Sequence, residues 1–156
     1  MVTVNLDGKS PLKERVFIKE DAYNAVISGV SDIREQAKYQ NPKETEEKFN
    51  IDFTVTTPEG PKEIPMFLTP KVTKGSGTYS NSKLFDVLEK AKLLEDFKKV
   101  WDTIEVMDGK ENQNKALIDF LQKVLLQKPC KVLTGTSKKG QADQYSVVDK
   151  IIDMGA

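Results

Sequence analysis

Lysines and aromatic rings are the side chains in this sequence whose spacing best suits chemistry with a ligand. From Lys71 to Lys83 there are three lysines, Lys71, Lys74 and Lys83, and no acidic residue. From Lys128 to Lys139 there are four, including Lys131, Lys138 and Lys139, again with no acidic residue. Ammonium groups on such stretches neutralise phosphates and release counterions, which makes the attraction salt-dependent. A single lysine is ordinarily solvated surface; two acid-free stretches in one chain also suit a polyanion. Rings supply the complementary interaction, because a base stacked on an aromatic gains about 1–3 kcal/mol. Tyr79 sits in a Gly- and Ser-rich loop beside Lys74 and is the leading stacking candidate, packing across a helix start being its alternative role. Phe67 is out of phase with Ile64, Met66 and Leu68, so it is expected on the outward face of its strand. Phe49 and Phe53 share the phase of Ile51 and Val55 and are expected inside.

Other chemistries lack their residues. The sequence has no histidine, which removes the usual general base and the commonest metal ligand. Cys130 is the single cysteine, so familiar zinc spacings and an internal disulfide are excluded. A lone cysteine without an activating base is read as a small hydrophobe. The carboxylate pairs Glu46-Glu47, Glu95-Asp96 and Asp149 with Asp153 fall on polar faces, where solvated charge is the simpler account. Lys74-Gly-Ser-Gly-Thr precedes a helix but has neither the Walker nor the dinucleotide-binding spacing. No catalytic residue, metal or cofactor is therefore assigned, and the chain is expected not to be an enzyme.

The elements that must position these residues follow from periodicity. Residues 1–19 read as a loose arm and residues 20–156 as one domain. Asp21 to Ile33 is a strand with apolar residues on both faces, and Gly29 lies where it could bulge. Residues 34–47 are polar, with Asn41-Pro42 as a turn signal. Phe49, Ile51, Phe53 and Val55 then alternate with polar residues, as in a half-buried antiparallel strand. Pro58-Glu-Gly-Pro closes a hairpin, and Glu63 to Thr69 returns, with Pro65 marking an edge or bulge. After a loop, three helices are expected within about 82–127, around Leu84 to Ala91, Leu94 to Ile104 and Asn112 to Leu126. Ser80, Asn81 and Ser82 are N-cap candidates. Two more strands follow, from Cys130 to Thr134 and from Tyr145 to Ile152.

Length and composition fit this plan. A chain of 156 residues suits one domain. Cations and anions number 24 each, so a polyanion site must rest on local charge rather than net charge. The beginning of the sequence has no signal-peptide core and no apolar run reaches membrane-spanning length, so a soluble protein of the cytoplasm is expected.

The order of three strands, a helical block and two strands is that of a five-stranded Greek-key barrel, the OB-fold. Three segments carry a family resemblance: Tyr23-Asn-Ala-Val-Ile-Ser-Gly-Val, Ser80-Asn-Ser-Lys-Leu-Phe-Asp-Val-Leu, and Leu126-Gln-Lys-Pro-Cys-Lys-Val-Leu leading to Tyr145-Ser-Val-Val-Asp-Lys-Ile. In this order they resemble the phage- and archaeal-type single-stranded DNA-binding-like proteins with an OB-fold, over residues about 20–152. The resemblance implies an α+β, mainly β, OB-like barrel with an enlarged helical segment between its third and fourth strands. It also implies non-catalytic binding of single-stranded DNA in replication, recombination or repair, with RNA left open as ligand. The helical block is long for that resemblance and suits a protein partner, and the acidic tail of bacterial single-strand binders is missing. The expected contacts are Phe67, Lys71, Lys74, Tyr79, Lys83, Lys131, Lys138 and Lys139, with the two lysine stretches on one side of a closed barrel. The rival reading is a protein-interaction or scaffold module on the same barrel, and the oligomeric state is left open.

Overall fold

The computed structural model describes residues 16–38, 41, 43–78, 80–142 and 144–154. Along the chain it has β1 (Ala22–Val30), β2 (Arg34–Ala37), β3 (Thr45–Thr57) and β4 (Gly60–Leu68). Then come α1 (Lys83–Lys90), α2 (Leu94–Ile104), α3 (Lys110–Leu125), β5 (Pro129–Ser137) and β6 (Tyr145–Asp153). The architecture is α+β and mainly β, with one antiparallel sheet of six strands.

Alternation sets the inner face of that sheet. Phe49, Ile51, Phe53 and Val55 of β3 are all fully buried, as their phase predicts. They meet Ile64, Met66 and Leu68 of β4, Ile27 of β1, Val132 of β5 and Val148 of β6 in one core. Burying a side chain of this size contributes roughly 1.5–3 kcal/mol. Leu84 and Leu88 of α1 and Leu117, Leu121 and Leu125 of α3 complete the core, with Phe120 and Val124 partly buried against it. Ser82 caps α1, its hydroxyl accepting from the Phe85 N–H at 3.2 Å.

β1 explains its own two-sided pattern. Its register with β3 shifts between Ile27 and Gly29, the position expected to bulge. The extra residue resets the alternation, so Ala25 and Ile27 before it and Val30 after it all face the core. At Gly29 the Asp52 carboxyl lies 3.3 Å from where a Cβ would stand.

Three expectations are corrected. The sheet has a sixth strand: Arg34 to Ala37 pair with Lys48 to Thr45, extending β3 backwards into a hairpin. All four β2 residues are exposed, so no apolar alternation marked the strand. The sheet is also not closed. Its order runs β4-β3-β1-β5-β6 with β2 on the far end of β3, and no ladder joins β4 to β6 among the described residues. β4 carries Pro61 and Pro65, which remove two N–H donors from an edge strand. Finally, the arm is pinned over its last residues. The Ser146 N–H donates to the Val16 carbonyl at 2.8 Å, and the Ile18 N–H donates to the Ser146 hydroxyl at 2.8 Å. Residues 1–15 of the expected arm lie outside the described residues.

Candidate nucleic-acid interface

The outward face of β3 and β4 is built from the residues between the core positions. Registered pairs there are Asn50 with Phe67, Asp52 with Pro65 and Thr54 with Glu63. Phe67 is half-buried between the fully buried Met66 and Leu68, so its ring faces outward as its phase predicts. Its neighbour Asn50 is held on both sides. The Arg34 guanidinium donates to the Asn50 Oδ1 at 3.1 Å, and the Asn50 Nδ2 donates to the Asp52 Oδ1 at 2.7 Å. Lys48 is registered opposite Arg34, which brings a second cation to the same end. Arg34, Lys48 and Asn50 were not singled out in the sequence, because only the β2 hairpin brings Arg34 back beside Asn50.

The first lysine stretch leaves the sheet at this end, since Leu68, the last residue of β4, is registered with Phe49. Lys71 and Lys74 are exposed. The loop they occupy is clasped at its base. The Ser82 N–H donates to the Thr73 carbonyl at 2.9 Å, and the Thr73 N–H donates to the Ser82 hydroxyl at 3.0 Å. The Gly75 N–H adds a bond to the Asn81 Oδ1 at 2.7 Å. Ser82 thus fixes the loop and starts the helix with one side chain. Tyr79 lies outside the described residues. Lys83 opens α1 and lines a small cleft of about 220 Å³ with Met66, Asp86, Lys90, Asp149 and Lys150, apart from Phe67's face.

The second stretch does not gather beside the first. It runs the length of β5, so Lys131 near its start and Lys138 just past its end stand far apart. Lys131 is exposed on the outward face, registered with Asn24 of β1. A shallow groove of about 380 Å³ along Asn24, Val26, Thr56, Lys131 and the acidic Asp153 carries that face from β3 across β1 to β5. Lys138 and Lys139 sit at the β5–β6 turn, the end where β1 begins and the β3–β4 hairpin turns. Antiparallel pairing therefore places them at the opposite end from Lys71 and Lys74, correcting the expectation of two cationic edges on one side. Lys139 is also engaged, its Nζ 2.8 Å from the Glu20 Oε1. The hydrogen bonds from Lys139 and Thr136 hold the Glu20 carboxyl below the usual carboxylate range.

A larger cleft of about 570 Å³ separates α3 from the root of the β2–β3 hairpin. Asp32, Glu35, Glu47, Glu111 and Asp119 line it against Arg34, Lys110 and Lys115, so its charge opposes an anionic ligand. Glu47 is bonded to Lys110 at 2.6 Å and to the Asn114 Nδ2 at 2.7 Å. Burial pushes the Glu47 carboxyl up, but these two hydrogen bonds and the Lys110 charge outweigh it and hold it low. Cys130 is buried, and burial pushes its thiol up to about 11, so the neutral thiol dominates near neutral pH. No group of three or more Asp, Glu or Cys among the described residues is arranged to hold a metal ion. No described helix is long and apolar enough to cross a membrane.

No family model matches the chain, and no curated protein matches it.

Proposed function

We propose that this chain binds single-stranded DNA without catalysis, laying the strand along the outward face of β3 and β4. The observation that carries the reading is the grouping at one end of that face. Phe67 offers a ring opposite Asn50, Arg34 bonds Asn50 from the β2 side with Lys48 registered beside it, and the acid-free Lys71–Lys74 loop departs from the same end. A ring for a base and cations for the phosphates are the two components of sequence-tolerant single-strand binding. The strand order supports the same reading. Without β2, the neighbours β4-β3-β1-β5-β6 are those of an OB-fold barrel left open at one seam, and the helical block lies between its third and fourth strands. In that fold, oligonucleotides lie on the second and third barrel strands, here β3 and β4, and on the loops after the first strand and between the last two. The β2 hairpin occupies the first of these loops and Lys138 and Lys139 the second. Phosphate contacts carry no base information and stacking accepts every base, so little sequence preference is expected.

The test is fluorescence anisotropy of a labelled oligothymidylate titrated at two salt concentrations. Affinity falls steeply with salt if lysines and Arg34 meet phosphates. Phe67→Ala weakens binding by roughly 5- to 150-fold, the equivalent of one lost stack. Lys71→Glu with Lys74→Glu weakens it more than Lys138→Glu with Lys139→Glu. Salt-independent binding, or a Phe67→Ala protein of unchanged affinity, removes this face from the site.

A further inference from the structure

The helical block leaves an aromatic surface outside the core. Phe97 and Trp101 of α2 stack with ring centroids 5.8 Å apart and an interplanar angle of 22°. Phe120 of α3 supports Phe97 at 6.4 Å. Phe97 is almost fully buried by this arrangement, yet Trp101 remains 39% exposed and Val106, just past the helix, 78% exposed. Isolated exposed apolar residues need no account, but an exposed ring stacked on a second ring is a formed surface.

The charges along the same stripe indicate what covers it. Residues three and four apart share a helix face, so Lys98 lies on the N-terminal side of Trp101 and Glu105 on its C-terminal side. Two copies of α2 placed antiparallel about a twofold axis near Trp101 bring each Lys98 opposite the other's Glu105. A stripe with a cation before its ring and a carboxylate after it is thus its own complement, as an isologous contact requires. Lys98 makes only an i,i+3 contact with Glu95, at 3.4 Å and with both side chains largely exposed, which leaves it available.

We propose that the α2 face around Trp101 is a self-association surface for a second copy of this chain, packed antiparallel. The contact is short. An 11-residue helix spans only about 16 Å, so the interface belongs to the small, concentration-dependent class. The proposal is independent of nucleic-acid binding, because α2 takes no part in the β3–β4 face.

Trp101 is the only tryptophan, so its emission reports on this surface alone. The experiment is sedimentation equilibrium of the intact protein over a concentration series, with tryptophan emission followed in parallel. The mass rises toward that of a dimer with concentration, and the emission shifts to the blue over the same range. Lys98→Glu alone, or Glu105→Lys alone, moves the midpoint to about tenfold higher concentration, because the twofold axis converts two ion pairs into like-charge contacts at once. Lys98→Glu with Glu105→Lys restores it, since the exchanged pair is again complementary. Both are exposed surface positions, and circular dichroism checks that each variant is folded. A monomer at every concentration, association with no change in emission, or a double variant no better than the singles overturns the proposal.

Discussion

Replacing Asp52 by asparagine removes a carboxylate from the proposed binding face while keeping its shape. Asp52 is on the outward face of β3, two residues from Asn50, whose registered partner is Phe67. Two residues along a strand span about 7 Å, so a phosphate beside a base stacked on Phe67 stands at roughly that distance from the carboxyl group. At 7 Å in water the repulsion between two unit charges is about 0.6 kcal/mol, which is close to threefold in affinity. Asparagine retains an oxygen to accept from the Asn50 Nδ2, and it is the same size against Gly29, so neither local support is lost. Asp52→Asn is therefore expected to bind oligothymidylate more tightly, by anisotropy, with about threefold as the unscreened limit and roughly 1.5-fold near physiological salt, where the screening length is about 8 Å. The gain grows at about 0.01 M salt, where the screening length lengthens to about 30 Å. Asp119→Asn, in the cleft beside α3, is the control and leaves affinity unchanged. An Asp52→Asn protein with unchanged or weaker binding at both salt concentrations refutes the placement of the strand on this face, whatever the overall affinity.

Other expected outcomes concern the scaffold. A Cβ on Gly135 would overlap the Asp149 carboxyl group from the neighbouring strand, and that exposed side chain must swing aside, so Gly135→Ala lowers stability by at most about 1.5 kcal/mol in denaturant titrations. Adding Asp149→Ala recovers most of that loss; failure to recover it means the carboxyl group is not the obstacle. Ser82→Ala loses both the α1 cap and the loop clasp and costs about 1 kcal/mol or more by thermal melting, with faster backbone exchange at Thr73. Folding raises the Cys130 thiol from its ordinary 9.0 to about 11, so the protonated thiol favours the folded state. That contribution is complete below pH 9 and is lost as pH rises toward 11. Wild type should lose stability over this window more steeply than Cys130→Ala, and thiol reagents should label it slowly at pH 8 until it is unfolded.

Elements with one wet face and one dry face were legible in the chain's own pattern. Phe49, Ile51, Phe53 and Val55 announced β3 because one side of that strand meets the core and the other meets water. Leu84, Val87 and Leu88 announced α1 for the same reason, and Phe67 was legible as outward by being out of phase. Gly29 could be read as a bulge because apolar residues appeared on both sides of β1. β2 gave no such signal: all four of its residues are exposed, and what makes it a strand is hydrogen bonding to β3. Which charges stand together was set by strand pairing. Charge spacing along the chain grouped Lys131 with Lys138 and Lys139, but an extended strand carries each residue about 3.3 Å from the last and separates Lys131 from the other two. The β2 hairpin, in contrast, returned Arg34 to Asn50 across 16 residues of sequence. Local periodicity reports how one segment meets solvent, whereas a site is made by pairing between segments, and pairing has no record in any single segment.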